Sequence, residues 1–350
     1  NGNKSIVEYA IIEGITNNTS VFLSGISISN SIIKSNNMRY CGTYETMLAG
    51  CNLDKCNIYE NYAQDGTNII RCLEYYACNV INNQFGYNEH FEGGAWNSVT
   101  TPVSSNIYDN YMQYYDGVRV PMNAFMSYDV GPQKIMLDEP SYFGTNNKNK
   151  IRETLFDIHH NIGFAEYDLS NISETPITIA HGIVWKLQIN GEDIMPYDDA
   201  FSSTPIGVGK HKFEVHYNRA MDTSINPTIS FGVRQPYTQH IVTEDSSWSA
   251  DSTVFTAYYT IGARTMTDGV NHVHIIGGRD NEKFPAIDET TRFDIIVQAT
   301  GSLATGLFAE AGLGKVTLQW ETDEEDFAFD DEFGYEDDGD DFGYTDDMDE

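Results

Sequence analysis

The seven-residue stretch Cys56 to Tyr62, CNIYENY, decides the fold of the first third of this chain, because it recurs almost unchanged as SNIYDNY at Ser105 to Tyr111. Two looser copies lie at Ser31 to Asn36 (SIIKSN) and at Cys78 to Asn83 (CNVINN). Each copy has a small residue, then Ile or Val two positions later, then Asn three positions beyond that. The chain therefore contains a repeat, and the repeat constrains the fold before any single element does.

The spacing of the copies predicts the coils of a parallel β-helix. Their final asparagines are 25, 22 and 27 residues apart, which fits several short strands per coil, each stacked about 4.8 Å from the next coil. Equivalent residues then form ladders. We expect side-chain amides to hydrogen-bond from coil to coil as an architectural ladder, with its asparagines at left-handed bends. The predicted members are Asn36, Asn61, Asn83 and Asn110, beside the small residues Cys56 and Cys78.

The cysteines fit the same coils. Cys51 and Cys72 precede Cys56 and Cys78 by five and six residues, so the four form two equivalent pairs one coil apart. Cα atoms in adjacent coils approach the distance that a disulfide needs. Thiols stacked inside an apolar core would give the same sequence, and the odd Cys41 argues against a full disulfide framework. Both interpretations stay open.

The composition indicates a folded and strongly acidic protein. With 350 residues, of which 40% are hydrophobic, the chain can bury a sizeable core in two or three domains. Its formal net charge is -32, and 17 of its 52 acidic residues lie in 321–350. This charge repels phosphate backbones, so we expect no nucleic-acid partner. The sequence has no run of about 18 apolar residues, so we expect no membrane insertion.

Beyond the repeat, the sequence predicts a helix and then a sandwich. Ile151, Leu155 and Ile158 recur at helical spacing, which predicts a short amphipathic helix that caps the open end of the coils. From about Thr175, seven alternating segments separated by turns indicate an antiparallel β-sandwich of the immunoglobulin or fibronectin kind. The last of these segments is KVTLQWE at 315–321.

We therefore predict an all-β protein in four parts. The parts are a parallel β-helix at 1–140, a capping helix and linker at 141–174, an immunoglobulin-like or fibronectin-like sandwich at 175–321, and an acidic aromatic tail at 322–350.

The tail allows three interpretations. Dense like charge favours a disordered, solvated segment. Aromatic residues favour docking on a neighbouring chain, and those of the repeated Phe-Gly-Tyr are Phe333, Tyr335, Phe342 and Tyr344. A cluster of aspartates suits calcium, although it lacks the twelve-residue EF-hand pattern. These aspartates are Asp337, Asp338, Asp340 and Asp341.

Several stretches resemble a known class of protein. They are SYFGTNNKNKIRETLFD at 141–157, GVGKHKFEVHYNRAMDTSINPTISFGVRQPY at 207–237, DGVNHVHIIGGRD at 268–280 and GLGKVTLQWE at 312–321. With the asparagine repeat, they resemble secreted bacterial right-handed parallel β-helix repeat proteins that carry an immunoglobulin-like or fibronectin-like sandwich. The resemblance implies a right-handed coil and an extracellular or cell-surface location.

An enzyme is one candidate function, because parallel β-helices host polysaccharide lyases and glycoside hydrolases. Hydrolysis of a glycan needs two carboxylates about 5 to 9.5 Å apart. Glu60 and Asp109 occupy the same repeat position two coils apart, which places them about 9.6 Å from each other by strand spacing. These two are the catalytic candidates, on analogy of fold alone.

A structural or adhesive module of the cell exterior is the function that we favour from the sequence. Paired tyrosines could stack on carbohydrate, although such pairs usually serve packing, and they are Tyr75, Tyr76, Tyr114 and Tyr115. The chain also opens on a strand-like segment, KSIVEYAIIEG, whose exposed backbone needs a cover, so that copies could assemble head to tail. The expected partners are a cell-surface glycan or neighbouring copies of the chain.

Overall fold

The computed structural model describes residues 5–17, 21–38, 46–63, 68–71, 74–86, 102–113, 119–125, 134–159, 162, 165–194, 204–262, 268–299, 305–312 and 315–321. These residues are mostly β-strand, in parallel and antiparallel sheets, with one short α-helix. The predicted all-β class is therefore confirmed. Within these ranges we find no helix with the length and apolar character that crossing a membrane requires.

Short strands follow one another closely in the first part of the chain. They are β1 (Ile6–Glu8), β2 (Ile11–Glu13), β3 (Thr16–Asn17), β4 (Val21–Ser24), β5 (Ser27–Ser29), β6 (Ile32–Lys34), β7 (Asn37–Met38), β8 (Thr46–Ala49), β9 (Asn52–Asp54), β10 (Asn57–Tyr59), β11 (Tyr62–Ala63), β12 (Asn68–Arg71), β13 (Glu74–Tyr76), β14 (Asn79–Ile81), β15 (Gln84–Gly86), β16 (Asn106–Tyr108), β17 (Tyr111–Gln113), β18 (Arg119–Pro121), β19 (Ala124–Phe125) and β20 (Lys134–Met136).

The chain visits four sheets in the same order, and we name each round of visits a pass. The sheet orders are β1-β5-β9-β13, β2-β6-β10-β14-β16, β3-β7-β11-β15-β17-β18 and β4-β8-β12. Neighbouring strands are parallel except for the last pair, β17 and β18. Each pass therefore lies directly against the one before it, as the sequence repeat requires.

Equivalent apolar residues of successive passes share one core. Ile33, Ile58, Val80 and Ile107 are paired in register and are fully buried. Their neighbours along each strand point outward, as the period of two in a β-strand dictates. The asparagine three positions later would also point outward if the strand simply continued. It is instead buried, so the backbone must change direction between the two residues.

The change of direction lies at the residue before each asparagine. Ser35, Glu60, Asn82 and Asp109 have φ values of 51°, 54°, 52° and 58°, in the left-handed region. This finding corrects the expectation that the asparagines themselves adopt that conformation. The left-handed residue turns the next side chain inward, because it resets the alternation of the strand.

The predicted helix is present but short. The helix α1 (Lys148–Glu153) begins after Asn147, whose side chain accepts hydrogen bonds from two backbone N–H groups of the first turn. The predicted helical spacing through Ile158 is wrong, because the chain leaves the helix at Thr154 and enters β21 (Leu155–Phe156), which pairs in parallel with β19. Ile151 is nevertheless buried in the core of the parallel sheets, at one end of which the helix lies.

The remaining strands are longer and mostly antiparallel. They are β22 (Glu166–Asp168), β23 (Val184–Ile189), β24 (Glu192–Ile194), β25 (Gly209–Tyr217), β26 (Thr228–Gly232), β27 (His240–Val242), β28 (Glu244–Trp248), β29 (Val254–Ile261), β30 (Gly269–Ile276), β31 (Glu289–Val297), β32 (Thr305–Gly312) and β33 (Lys315–Glu321).

Two antiparallel sheets, β24-β23-β25-β29-β28 and β27-β26-β30-β31, enclose a second core. Alternate residues point into it, as in a sheet with one buried face. Phe213, Phe231, Phe255 and Phe293 are almost fully buried there. We refer to this pair of sheets as the sandwich.

Two compact units divide the chain, residues 1–299 and residues 300–350. The first unit contains both the parallel sheets and the sandwich, which the sequence assigned to separate segments. Strand β33, assigned to the sandwich from the sequence, belongs to the second unit and pairs with β32. The predicted boundaries at 140, 174 and 321 therefore do not coincide with the division into units.

Candidate functional site

A chain of amide hydrogen bonds runs along the parallel sheets. The Nδ2 atom of Asn36 donates to Oδ1 of Asn61 at 3.0 Å, and the same bond joins Asn61 to Asn83 at 2.9 Å. Asn83 continues to Asn110, and Asn110 to Asn123, each at 3.0 Å. All five residues are buried. The four predicted asparagines thus stand in one ladder, and Asn123 is a member that the repeat did not identify.

Every amide in the middle of the ladder is occupied by protein groups. Oδ1 of Asn83 accepts from both the side chain and the backbone N–H of Asn61, at 2.9 and 3.1 Å. Its Nδ2 also donates to the carbonyl of Ile58 at 2.9 Å. A buried amide with satisfied donors and acceptors holds the backbone in place and offers nothing to a ligand.

The cysteines of the ladder are buried. The backbone N–H of Cys56 lies 3.5 Å from Sγ of Cys78, one pass away. Cys51 is likewise buried, and its Sγ lies 3.5 Å from the carbonyl oxygen of Leu23. Of the two interpretations left open by the sequence, stacked thiols describe these three residues, whereas Cys41 and Cys72 lie outside the described residues.

A second asparagine ladder faces the sandwich and was missed in the sequence. Nδ2 of Asn79 donates to Oδ1 of Asn57, and Nδ2 of Asn106 to Oδ1 of Asn79, both at 2.7 Å. This ladder also bonds to the segment that leads into the sandwich, because the backbone N–H of Ile177 donates to Oδ1 of Asn106 at 2.8 Å. The recurrence of Asn at the second position of three repeat copies is the sequence pattern that could have predicted this ladder.

Apolar and charged groups complete the junction between the parallel sheets and the sandwich. Tyr59, Ile81 and Tyr108 point outward from successive passes and are buried in one cluster with Phe284 of the sandwich side. Phe284 also stacks on His181 at 3.7 Å between ring centroids. The two parts are therefore packed and hydrogen-bonded together over several passes.

The two predicted catalytic carboxylates lie on this junction. Glu60 and Asp109 follow strands β10 and β16, which both pair with β14 between them, and both residues line a crevice of about 10 Å³ beside the sandwich. Desolvation raises the pKa of Glu60, although the residue keeps an exposed side. Burial raises the pKa of Asp109 to about 7, against the opposing charge of Arg292.

Asp109 is held by a buried arginine of the sandwich. Its Oδ2 lies 3.7 Å from Nε of Arg292, and the two side chains are 4% and 7% exposed. Arg292 also donates to Glu289 and to the carbonyl of Val184, and its guanidinium lies 4.9 Å from the centroid of the Tyr108 ring. Oδ2 of Asp109 is buried and accepts no hydrogen bond from any described residue, so the attraction of Arg292 compensates its charge.

A larger cleft of about 470 Å³ opens on the other side of Asp109, between the last passes and α1. Its walls are mostly apolar, with the rings of Tyr111 and Phe143 among them. Lys150 and Glu153 line it from the helix. Apart from the position of the helix after the repeats, no sequence pattern indicated this cleft, because segments that are distant in the chain form it together. A pocket of this size with few polar groups and a shifted carboxyl is the usual form of a binding site.

Gly144 allows the wall of this cleft to form. Its φ of 82° is unfavourable for other residues, and a Cβ atom there would lie 2.8 Å from Cβ of Tyr108. The glycine therefore lets the segment before the helix pass close to Tyr108.

Of the other residues predicted to form binding or metal sites, only Tyr75 and Tyr76 lie among the described residues. Tyr76 is 42% exposed at the end of β13, and Tyr75 lies beside it in the strand. The remaining predicted tyrosines, docking aromatics and metal-binding aspartates lie outside the described residues, and they are Tyr114, Tyr115, Phe333, Tyr335, Phe342, Tyr344, Asp337, Asp338, Asp340 and Asp341. Among described residues, no group of three His, Cys, Asp or Glu side chains is arranged to hold a metal ion.

The cleft and the junction thus share the neighbouring residues Tyr108 and Asp109, and Asp109 lies between Arg292 on one side and a largely apolar pocket on the other. Searches with protein-family models, among curated proteins and among solved structures find no match to this chain.

Proposed function

We propose that this chain is a structural and adhesive module of the cell exterior, built as a right-handed parallel β-helix with an attached immunoglobulin-like sandwich. The regular order in which the passes visit the four sheets supports the coil. The short helix at one end of the first core supports the capping role. The secreted location follows from the resemblance of the sequence to bacterial proteins of this type.

The observation that carries the proposal is the continuous buried hydrogen-bond ladder from Asn36 to Asn123. A ladder of satisfied amides makes each pass depend on the next, which favours a stiff and proteolytically resistant rod. The second ladder, through Asn79, fixes the sandwich to the side of that rod. A stiff rod with a fixed sandwich suits a structural role at the cell exterior better than a function in which the two parts must move relative to each other.

Self-assembly is the second part of the proposal. Ile6, Tyr9 and Ile11 of the first pass are 69%, 77% and 61% exposed. Within the described residues, β1 and β2 each have a strand neighbour on one side only. Exposed apolar residues on edge strands form a surface that another chain can cover. The aromatic acidic tail supplies a docking segment for a neighbouring copy.

Light scattering tests the assembly. We expect the full chain to form particles larger than a monomer, and deletion of residues 327–350 to reduce their size. A variant that keeps the length and charge of the tail but replaces its four Phe-Gly-Tyr aromatics by Ser separates aromatic docking from charge repulsion. Equal particle size for all three chains would reject assembly through the tail, and electron microscopy of the full chain would show whether any filament remains.

A carbohydrate-active enzyme, of the polysaccharide lyase or glycoside hydrolase kind, is the alternative. One observation favours it, since burial raises the pKa of Asp109 to about 7, the range of a general acid. Glu153 lines the same large cleft and offers a second carboxylate, which Glu60 does not. Release of reducing ends from a glycan, abolished by Asp109→Asn, would establish this alternative, and binding without product would reject it.

A further inference from the structure

The cleft beside Asp109 has the dimensions of a ligand site. Its volume of about 470 Å³ lies within the range of about 300 to 1,000 Å³ that small-molecule sites occupy. The passes of parallel strands form one wall and the helix α1 forms another, so both walls are held by regular structure. A site on such elements is already formed before a ligand arrives.

The chemistry of the walls narrows the class of ligand. Tyr111 and Pro121 give apolar faces on which the C–H face of a sugar ring can pack. Thr145 and Glu153 add hydroxyl and carboxylate groups that hydrogen-bond to hydroxyls. Aromatic faces beside a few polar groups are the combination that an uncharged, hydroxyl-rich molecule requires.

Charge argues against an anionic ligand. Asp109 and Glu153 line the cleft with one ammonium, that of Lys150, so a polyanion such as a uronate chain meets repulsion that a neutral ligand avoids.

We propose that this cleft binds a short neutral oligosaccharide, with Thr145 and Glu153 as hydroxyl partners and Tyr111 and Pro121 as the apolar wall. The inference rests on the adhesive function proposed above, for which it names the site and the class of ligand. It differs from the predicted tyrosine pairs, because Tyr76 does not line the cleft and only the strand position of Tyr75 is described.

Calorimetric titration of the full chain tests the inference. The probes are hexasaccharides of β-1,4-linked glucose, β-1,4-linked xylose, α-1,4-linked glucose and β-1,4-linked mannose, with an α-1,4-linked hexagalacturonate as the charged comparison. We expect at least one neutral hexasaccharide to bind with a dissociation constant below about 1 mM, and hexagalacturonate to bind at least about tenfold more weakly.

Two cleft variants and a matched control locate the binding. Thr145→Trp fills the cleft and should weaken binding at least about tenfold, and Glu153→Gln, which keeps the shape of the side chain, should weaken it about three- to tenfold. Glu166→Gln makes the same chemical change on β22, outside the cleft, and should leave binding unchanged. Circular dichroism confirms that each variant is folded.

The inference is overturned if no neutral hexasaccharide binds, if hexagalacturonate binds as tightly as the best neutral probe, or if both cleft variants bind like the control. These outcomes leave the assembly measured by light scattering unaffected. A chain that assembles but binds no neutral probe would therefore reject the cleft as a glycan site without rejecting the structural role.

Discussion

Oδ2 of Asp109 lies 3.7 Å from Nε of Arg292, and this buried contact joins the pass that contains β16 to strand β31 of the sandwich. Burial raises the pKa of Asp109 to about 7, while Arg292 opposes the shift and Glu289 adds to it. The junction therefore contains a group that titrates near neutral pH.

Asp109→Asn should change how stability depends on pH. Because the folded pKa of about 7 lies above the ordinary value of 3.8, the folded chain binds more protons than the unfolded chain between these values. The contribution of Asp109 to stability is thus complete below about pH 4 and is lost as the pH rises through about 7. Relative to the wild type, the variant should become more stable by on the order of 2 to 4 kcal/mol between pH 4 and pH 8.

Urea unfolding at a series of pH values measures this difference. Glu166→Gln, a substitution on β22 away from the junction, provides the baseline for loss of a carboxylate. A stability difference between the wild type and Asp109→Asn that stays flat from pH 4 to pH 8 would show that the carboxyl titrates as it does in water.

Asn83→Ala should be strongly destabilising, because the side chain serves two neighbouring passes. Its loss leaves the Nδ2 and the backbone N–H of Asn61 without this acceptor, and leaves Oδ1 of Asn110 with one of its two donors, the backbone N–H of residue 83. Each buried polar group that loses its partner costs about 1 to 3 kcal/mol, so we expect a loss of about 3 to 5 kcal/mol in the free energy of unfolding. Asn149→Ala, at an exposed position of α1, should cost almost nothing.

Chemical denaturation compares these two variants directly. If Asn83→Ala unfolds at nearly the same urea concentration as Asn149→Ala, then the ladder adds little to stability and the stiffness argued from it is lost.

The thiols should be protected in the folded chain. Cys51, Cys56 and Cys78 are fully buried, and a buried thiol in apolar surroundings reacts slowly. We expect alkylation with iodoacetamide to leave all three unmodified in native buffer and to modify all three in urea without a reductant. Peptide mass spectrometry reads out each site. A Cys56–Cys78 cross-linked peptide in the non-reduced digest would contradict the stacked-thiol arrangement.

The repeat made the parallel sheets predictable, since the residues at each position recur. Every copy has Ile or Val at the position of Ile58 and Asn at the position of Asn61, and the structure buries the residues at both positions. The left-handed residue between them varies as Ser, Glu, Asn and Asp, so composition did not reveal it. Its role follows from the backbone direction needed to turn the asparagine inward.

The cleft and the junction were not predictable in the same way. Arg292 and Asp109 come from distant parts of the chain, and no local pattern connects them. The helix was expected to extend to Ile158, but pairing of Leu155–Phe156 with β19 outweighs the helical spacing. Tertiary pairing of this kind overrides local propensity and is invisible in a single sequence.

Ile81→Asp should uncouple the sandwich from the parallel sheets. Ile81 is 5% exposed and points from β14 into the cluster that contains Phe284. A buried charge without a partner is unfavourable there, so the contact should open while the two separate cores remain folded. In the wild type, hydrogen exchange should give β14 and β31 similar opening free energies, because the junction binds them. In the variant β31 should exchange faster, by about tenfold or more.

Ile276→Asp, at a position that is 38% exposed, is the matched control. Equal exchange rates for β31 in both variants would mean that the two parts fold together for another reason, since the apolar contact at Ile81 would then contribute nothing to their coupling.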